Sequence, residues 1–514
     1  MSALAAIRSA LGRAGPDPAA DRHAIIDIGS NTVRLVVYNG PARAPIVLHN
    51  EKVTARLGRD LSETGLLPEK AMSAALAALA RYATLLDGMS IRDVEVVATA
   101  AARDAGNGAQ FLEAVRALGL EPRLLSGGEE AATSAAGVLA AFPGAQGVVA
   151  DLGGGSLELV AIREDAGEHG VSLPLGTLRL AKMRGASADI FARAIAKALH
   201  AADWSGQAGL PLYLVGGSWR ALARFALNRQ NWPLDDPHGF ELAPGNAAKL
   251  VATLGQGAVK RAGDLAGISA SRLASLPDAA ALLGVLVREL RPSKLIFSSW
   301  GLREGLLFQR LEPAARRRDP LLAGVAAFAE QLGESAELGA QAAEWTAAAS
   351  LGAAPGGERL RLAATILAFA LLRVEPNLRA PQATEWALHK RWIGIDGAGR
   401  AMLAAAMLTN SGKDSLPPEL ARLASPDQLA EAQVWGLAIR LCRRFGANSR
   451  AALAGSRLEE DGARLVLVVE QPIRALITEF VEKDLRNLAE RLSLEPAVEF
   501  HDGLEGSSRS RMIG

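Results

Sequence analysis

The chain has 514 residues, of which 49% are hydrophobic and 22% are charged, and its formal net charge is +1. This length predicts about three domains, and the near-zero charge excludes a global positive field that would attract nucleic acid or a membrane surface. The sequence has no uninterrupted apolar run of about 18 residues, no signal peptide in its N-terminal stretch, and one cysteine, Cys442, which cannot form an intrachain disulfide. We therefore expect a cytoplasmic protein that neither spans a membrane nor binds nucleic acid.

Strands and helices are predicted to alternate from Ala24 to about Leu311, after a flexible leader over residues 1–21. In chain order, the predicted elements are strands at "AIIDIG" and "VRLVVYN", a helix over 68–88, a strand at 94–99, helices near 108–118 and 129–141, strands at "GVVADLG" and "LELVAI", and strand–turn–helix units at 212–225 and 294–308. The apolar runs are typical of buried strands, and their alternation with helices favours α/β layers.

After Leu311 the composition of the chain changes. The stretch "EPAARRRDP" (312–320) is charged and flanked by prolines, whereas residues 321–455 are rich in alanine and leucine at helical spacing. A late strand is predicted at 464–470, a helix over 474–493, and a polar tail after it. The predicted division is a leader over 1–21, α/β domains over 22–145 and 146–311, a linker over 312–320, and a mostly helical domain over 321–514.

Two short segments of the chain resemble each other. "DIGSNTVRL" begins at Asp27 and "DLGGGSLEL" begins at Asp151, an offset of 124 residues. The aligned pairs are Asp27 with Asp151, Gly29 with Gly153, Thr32 with Ser156, and Arg34 with Glu158. This similarity predicts duplicated halves that face a shared cleft; the alternative is chance similarity between two strand–turn–strand segments.

Both turns have the composition of an anion-binding loop. Glycine permits positive φ angles and close approach of a ligand, so successive N–H groups can converge on phosphate oxygens. The predicted side-chain donors are Ser30, Asn31, Thr32 and Ser156. Asp27, Asp151 and Glu158 flank the turns, and carboxylates beside a phosphate favour an intervening Mg²⁺, held directly or through water. The alternative is a pair of tight hairpins whose acids cap backbone N–H groups.

Seven segments together resemble the exopolyphosphatase / guanosine pentaphosphate phosphatase (Ppx/GppA) family, within the actin–Hsp70–sugar kinase superfold. They are "DIGSNTVRLVVY", "ATAAARDAGNGAQFL", "LLSGGEEAATSAAGV", "VVADLGGGSLELV", "LPLGTLRL", "YLVGGSWRALA" and "FSSWGLREGLL", and they occur in the family's order over about residues 22–311. The resemblance implies two ribonuclease-H-like domains flanking a cleft, and hydrolysis of the terminal phosphates of a polyanionic chain.

The resemblance also implies roles for individual residues. The terminal phosphate is expected to be held by Gly29, Ser30, Asn31, Gly153, Gly154, Gly155 and Ser156. Asp27, Asp151 and Glu158 match acidic positions near Mg²⁺ and the reacting water, and Glu130 matches the general base. Arg103 matches a phosphate-contacting arginine, and Arg34 follows the first loop as in many members. Without the resemblance, Glu130 is explained as an acid at a helix start, and both arginines as ion-pair residues; Glu129 is expected to be a surface or capping residue.

Two later segments leave alternatives open. The turn of Gly216, Gly217 and Ser218 lies where kinases of this superfold contact adenosine, and it is predicted either to meet a phosphate or nucleotide or to be a packing turn. Arg303, in "GLREG", is interpreted as an ion-pair residue and is left out of the catalytic set.

The third domain lies where longer members of the family have a helical domain resembling metal-dependent HD phosphohydrolases. An active site of that kind needs several His and Asp ligands, and the matching segment holds one histidine, His389, and one aspartate, Asp396. We therefore expect a degenerate, non-catalytic HD-like domain that extends the substrate groove or forms a dimer interface.

The resulting prediction is a Mg²⁺-dependent exopolyphosphatase that acts as a homodimer and releases orthophosphate from inorganic polyphosphate. In this prediction Glu130 activates water, while Arg103, Asp151 and Glu158 complete the catalytic set. The first alternative is hydrolysis of guanosine pentaphosphate. The others are an actin-like kinase or ATPase, and a polyphosphate sensor without turnover.

Overall fold

The structure is a computed structural model that describes residues 22–41, 43–163, 166–185, 187–204, 208–255, 267–352, 357–502 and 508–512. The predicted leader over 1–21 lies outside these residues. The chain divides into two compact units after Arg317, inside the predicted linker. Within the described part of the chain, no helix combines the length and the apolar character needed to cross a bilayer.

The first unit begins with a five-stranded sheet. Its strands are β1 (His23–Ile28), β2 (Val33–Asn39), β3 (Ile46–Val53), β4 (Val94–Ala98) and β5 (Pro122–Leu124), in the order β3-β2-β1-β4-β5. Its helices are α1 (Leu61–Thr64), α2 (Glu69–Gly88), α3 (Ala100–Asp104) and α4 (Gly108–Arg116). One face of the sheet packs on these helices, where Tyr82 and Phe111 are buried among the apolar strand residues.

A six-stranded sheet follows in the same unit. Its strands are β6 (Gly147–Leu152), β7 (Leu157–Arg163), β8 (Ala166–Leu173), β9 (Leu212–Val215), β10 (Glu241–Leu242) and β11 (Leu295–Ser298), in the order β10-β11-β9-β6-β7-β8. The helices from here to the end of the unit are α5 (Gly127–Ala141), α6 (Thr177–Arg184), α7 (Ala188–Ala201), α8 (Gly217–Arg229), α9 (Pro244–Gly255), α10 (Ala270–Leu290), α11 (Leu302–Gln309) and α12 (Pro313–Arg316).

The two sheets repeat one strand arrangement, which confirms the predicted duplication. Apart from the additional edge strand β10, β8-β7-β6-β9-β11 corresponds to β3-β2-β1-β4-β5. Each first strand pairs antiparallel with the second and parallel with the fourth. Asp27 lies opposite Arg34 in the first hairpin, and Asp151 lies opposite Glu158 in the second. The residues aligned by sequence therefore occupy equivalent register positions.

Two helices are exchanged between the lobes. Helix α5 precedes the second sheet but packs on it, with Val138 against Val149 and Val160, whereas α11 follows the second sheet and packs on the first through Leu306. The predicted boundary at 145/146 assigned α5 to the first domain, whereas the structure packs it on the sheet of the second. The physical reason is that the apolar side chains of α5, such as Val138, are buried against that sheet.

The exchanged helices cross at glycines. A Cβ atom added to Gly305 would lie 1.8 Å from the backbone oxygen of Thr133, and one added to Gly137 would lie 2.1 Å from that of Gly301. Contact between backbones this close excludes any side chain at the crossing. The start of α11 is thereby fixed against the middle of α5.

The second unit consists of helices and a small sheet. Its helices are α13 (Pro320–Gln331), α14 (Ala336–Trp345), α15 (Gly357–Ala370), α16 (Arg379–Thr384), α17 (Gly397–Asn410), α18 (Pro426–Gly446), α19 (Arg450–Ala454) and α20 (Glu479–Leu492). Short 3₁₀ segments occupy Leu371–Arg373, Pro376–Leu378, Pro418–Arg422 and Gln471–Leu476, and a π-helical turn occupies Glu385–His389. The strands are β12 (Ser456–Asp461), β13 (Arg464–Glu470), β14 (Glu495–His501) and β15 (Ser508–Met512), in that order across the sheet.

The sheet of this unit corrects the prediction of a single late strand and a polar tail. The predicted strand at 464–470 is β13, which is buried along most of its length. Charged residues interrupt strands β12 and β14, so neither strand forms the apolar run that predicts a buried strand. The predicted helix over 474–493 begins later, at Glu479, because Thr478 caps it by accepting from the N–H of Val481.

Candidate active site

The two glycine turns close in the same way. The N–H of Gly29 donates to the backbone oxygen of Thr32 at 3.0 Å, and that of Gly153 donates to the oxygen of Ser156 at 3.0 Å. The next N–H groups, those of Ser30, Asn31, Gly154 and Gly155, donate to no protein acceptor in the described part of the chain. Each turn therefore keeps backbone donors that an anion can use.

The turns also lie against each other, as predicted for loops that share one ligand. A Cβ atom at Gly154 would lie 3.0 Å from the backbone nitrogen of Asn31, and one at Gly155 would lie 2.6 Å from the Ser30 hydroxyl oxygen. Glycine is needed at both positions because a side chain would push the lobes apart. Residues 29–32 and 153–156 thus belong to one site.

Helix α5 brings Glu130 to this site. Ser126 accepts from the N–H of Glu129, and the Glu129 carboxylate accepts from the N–H of Ser126 at 2.8 Å, so Glu129 has the expected capping function. Glu130 is the next residue, and its side chain is only 12% exposed. Arg103 donates from one nitrogen to Glu130 Oε2 at 3.0 Å and to the backbone oxygen of Leu125 at 3.1 Å.

The surroundings of Glu130 raise its pKa to about 7. Burial raises the pKa most, and the charges of Asp151 and Asp27 raise it further, while the hydrogen bond and charge of Arg103 lower it. A carboxylate with this pKa takes up a proton readily at neutral pH and releases it again. This is the property that a general base in water activation requires.

The acids of the second hairpin form a row with hydroxyl partners. Asp151 accepts from the hydroxyl of Ser134, and Glu158 accepts from the hydroxyl of Ser172 at 2.9 Å. Burial raises the pKa of both carboxyls, and Glu130 raises that of Glu158 further. The row therefore carries acids close enough to repel one another.

The corresponding row of the first hairpin is paired with cations. Arg303, at the start of α11, donates to Asp27 Oδ2 at 3.0 Å, and Arg34 donates to Asn50 at 2.8 Å. Burial raises the pKa of Asp27, although Arg303 opposes that shift. Arg303 forms the ion pair expected from the sequence, but this pair lies inside the site. The sequence could have indicated this role, because Arg303 in "GLREG" lies in the first turn of a helix that follows a strand.

Arg220 is a site residue that the sequence analysis missed. It lies on α8, and its charge lowers the pKa of Asp151. Burial and the charges of Arg303 and Arg34 lower its own pKa to about 9. The segment "GGSWRALA" could have indicated Arg220, because its arginine lies in the first turn of a helix that follows a glycine turn.

The turn of residues 216–218 is packed closely. Gly216 has a φ of 112°, and a Cβ atom there would lie 2.5 Å from the backbone oxygen of Leu152. The hydroxyl of Ser218 accepts from Arg272 at 3.0 Å. These contacts agree with the interpretation as a packing turn, while a phosphate or nucleotide role stays a prediction.

The carboxylates match Mg²⁺ in charge but do not form a complete cage for it. In the ranges that the structure describes, no group of three or more His, Cys, Asp and Glu side chains is arranged to hold a metal. The repulsion among Asp27, Glu130, Asp151 and Glu158 nevertheless favours a cation between them. Mg²⁺ often binds through one or two carboxylates, with water and substrate phosphate as its other ligands, so the donor set fits that mode.

Paired lobes with glycine turns at their junction, and a mostly buried acid beside them, define a two-lobed α/β protein with an anion-binding site at that junction. The model of the "Ppx/GppA phosphatase family" matches residues 36–314, and the model "Exopolyphosphatase, C-terminal" matches residues 331–494. The chain belongs to the Ppx/GppA phosphatase family.

Individual relatives agree with this assignment. Exopolyphosphatase 1 of Mycobacterium tuberculosis (strain ATCC 25618 / H37Rv) is 26% identical over 312 residues, which cover 57% of this chain and 89% of that protein. Exopolyphosphatase 2 of the same strain is 35% identical over 175 residues, which cover 31% of this chain and 53% of that protein. A crystal structure of an exopolyphosphatase from Cytophaga hutchinsonii ATCC 33406 has 21% identity and a TM-score of 0.51, covering 56% of this chain and 97% of that one, and it supports the fold.

Proposed function

We propose that this protein is an exopolyphosphatase that releases orthophosphate from the end of inorganic polyphosphate. The observation that carries the proposal is Glu130, a mostly buried carboxylate with a pKa of about 7, held by Arg103 beside two touching glycine turns. The relatives named exopolyphosphatase supply the substrate class. Hydrolysis of guanosine pentaphosphate is the second candidate, because it breaks the same kind of terminal phosphoanhydride bond.

In the proposed reaction, the free N–H groups of both turns bind the oxygens of the terminal phosphate. Glu130 accepts a proton from water, the water oxygen bonds to the terminal phosphorus, and the bond to the bridging oxygen breaks. The products are orthophosphate and a chain shorter by one unit, whose new terminal oxygen carries the negative charge. Arg34, Arg220 and Arg303 stabilise the charge that spreads over the phosphoryl oxygens.

Mg²⁺ is proposed as the cofactor, with Asp151, Asp27 and Glu158 as the residues that would hold it, directly or through water. When bound, it would offset negative charge between these acids and the substrate. The protein residues remain responsible for orienting the phosphate and for deprotonating water.

The second unit is proposed to be a non-catalytic, HD-like domain of a cytoplasmic homodimer. Asp396, one of its two candidate ligands, accepts from the N–H of Gly399 at 2.8 Å and caps α17. That use of the carboxylate supports a structural role. Measurement of the mass in solution tests the homodimer.

The decisive experiment measures phosphate release from long-chain polyphosphate and from guanosine pentaphosphate by wild type, Glu130→Gln and Glu129→Gln. Glu130→Gln is expected to lose roughly 10²- to 10⁴-fold in kcat, the usual contribution of a general base. Glu129→Gln is expected to keep its activity, because this exposed neighbour caps the helix and pairs only with the exposed Arg123. Equal activity of Glu130→Gln and wild type would exclude Glu130 as the base, and a higher kcat/KM for the nucleotide would favour the second candidate.

A further inference from the structure

Asp104, the last residue of α3, contacts two arginines that belong to different lobes. One oxygen of its carboxylate accepts from Arg103 Nε at 3.3 Å, and the other oxygen lies 3.5 Å from Arg179 Nη2. Arg103 is part of the first lobe and of the proposed catalytic set, whereas Arg179 lies on α6 of the second lobe. One carboxylate therefore joins the two lobes next to the candidate active site.

The contacts of the Arg103 guanidinium fix its orientation. Its Nη1 donates to Glu130 Oε2 at 3.0 Å and to the backbone oxygen of Leu125 at 3.1 Å, while Nε of the same group donates to Asp104. Because a guanidinium is planar and its donors have fixed directions, a partner that holds Nε also determines where Nη1 points. Asp104 thus fixes the plane that presents Nη1 to Glu130.

Helix α6 is fastened to the second glycine turn by its first residues. The N–H of Thr177 donates to the backbone oxygen of Gly153 at 3.1 Å, and the N–H of Leu178 donates to that of Gly154 at 2.9 Å. Arg179 is the next residue, so its position follows that of the turn. Through Arg179, the carboxylate at the end of α3 is therefore connected to a turn that is proposed to bind phosphate.

The same face of α6 carries a second ion pair between the lobes. Lys182, three residues after Arg179, pairs with Glu63 on α1. The side chains of this pair are 52% and 64% exposed, against 27% for Arg179 and 39% for Asp104. In the described part of the chain, neither member of this pair bonds to Arg103. The pair of Lys182 and Glu63 is therefore a matched control for the pair of Arg179 and Asp104.

Resting on the proposed function, we propose that Asp104 and Arg179 are positioning residues for the general base. Asp104 holds Arg103 in the orientation that directs Nη1 to Glu130, and Arg179 holds Asp104 in place from the second lobe. The base is then correctly oriented only when the lobes meet at the two turns, which is where the terminal phosphate is proposed to bind.

Exposed ion pairs have a simpler explanation, since they typically contribute little to stability. On that explanation both pairs of α6 are surface contacts, and Asp104→Asn and Glu63→Gln have the same small effect. Positioning instead predicts a lower kcat in Asp104→Asn and Arg179→Gln, with KM nearly unchanged, because the reacting groups and not the bound substrate are misplaced.

The test compares wild type with Asp104→Asn, Arg179→Gln, the double variant, and the controls Glu63→Gln and Lys182→Gln. In phosphate release from long-chain polyphosphate, kcat is expected to fall about tenfold in Asp104→Asn and about threefold in Arg179→Gln, because a misplaced base loses part of its effect. The double variant is expected to match Asp104→Asn, since Arg179 acts through that carboxylate. Both controls are expected to behave as wild type, and an equal loss in the controls would overturn the proposal.

The protonation of Glu130 gives a readout that does not depend on turnover. The carboxyl carbons of ¹³C-labelled glutamate are followed by NMR between about pH 5 and pH 9, and the Glu130 signal is identified by its absence in Glu130→Gln. Its midpoint is expected to move to higher pH in Asp104→Asn and Arg179→Gln, because a displaced Arg103 stabilises the carboxylate less. In Lys182→Gln the midpoint is expected to stay as in wild type.

The acids of both hairpins also act on Glu130, but they are unchanged in every variant, so a moved midpoint reports on Arg103. An unchanged kcat in Asp104→Asn, or a lower kcat without a moved midpoint, would overturn the positioning function. A wild type that releases no phosphate from polyphosphate, but in which Asp104→Asn still moves the midpoint, would instead refute the proposed function. The two failures are therefore distinguishable.

Discussion

The hairpins β1–β2 and β6–β7 have the same register and the same turn closure, yet they differ in charge. In the first, the aspartate lies beside Arg34 and then Lys52; in the second, it lies beside Glu158 and then Ser172. One backbone frame thus presents a mainly cationic row on one lobe and an acidic row on the other. Under the proposed function, the two rows would have separate tasks: the first would bind substrate charge, and the second would control water and protons.

The largest expected effect comes from changing the equivalent aspartates. Asp151→Asn is expected to lower kcat about 100-fold or more, because a charge next to the reacting groups is lost, while its amide oxygen still accepts from Ser134 and stability is retained. Asp27→Asn is expected to lower the free energy of unfolding by roughly 2 kcal/mol, because Arg303 loses the carboxylate to which it donates. Denaturant unfolding and phosphate release, measured on both variants, check this contrast; equal losses of stability would contradict it.

The next effect concerns the acid on the exchanged helix α5. Because Glu130 must be deprotonated to act as a base, kcat/KM is expected to rise about tenfold per pH unit below a pKa of about 7 and to level off above it. Arg103 lowers this pKa, so Arg103→Gln moves the rise to higher pH. The control is Arg123→Gln, an exposed arginine that pairs with Glu95. A rise that does not move in Arg103→Gln would show that another group titrates.

The smallest effect is on ligand-free stability. A carboxyl whose folded-state pKa is raised stabilises the fold at low pH, and this contribution is lost as pH rises through the folded-state pKa, about 7 for Glu130. Tm is therefore expected to fall by a few degrees between about pH 5 and pH 8, and less in Glu158→Gln, where one repelling acid is neutral.

Added Mg²⁺ should restore Tm at the higher pH in wild type more than in Asp151→Asn. Scanning calorimetry at constant ionic strength measures both.

Local patterns predicted much of the fold. The apolar runs of β1, β6, β9 and β11 identified the α/β lobes, because strands buried on both faces are apolar throughout. Strands β12, β14 and β15 were missed because charged residues interrupt their sequences, so none of them forms an apolar run. The exchange of α5 and α11 was also missed, because the sequence shows that a helix has an apolar face but not which sheet will cover it.

The candidate site was predicted in part for the same physical reason. The turns, Asp27, Asp151, Glu158 and Glu130 lie in short motifs that the family resemblance identified. Arg220 and Arg303 enter the site through the orientation of their helices, which depends on contacts between segments far apart in the chain. Sequence spacing alone does not contain that information.

The glycine crossing of α5 and α11 also bears on how this molecule reaches its folded state. Helix α5 directly follows the first sheet in the chain but packs on the second, and α11 directly follows the second sheet but packs on the first. The first sheet therefore cannot be covered on this face before α11 has been made. A fragment ending near residue 145 would carry a helix without its sheet and a sheet without its helix. Folding of the first unit is therefore expected to need residues up to about 309, and shorter nascent chains would expose apolar surface that chaperones can bind.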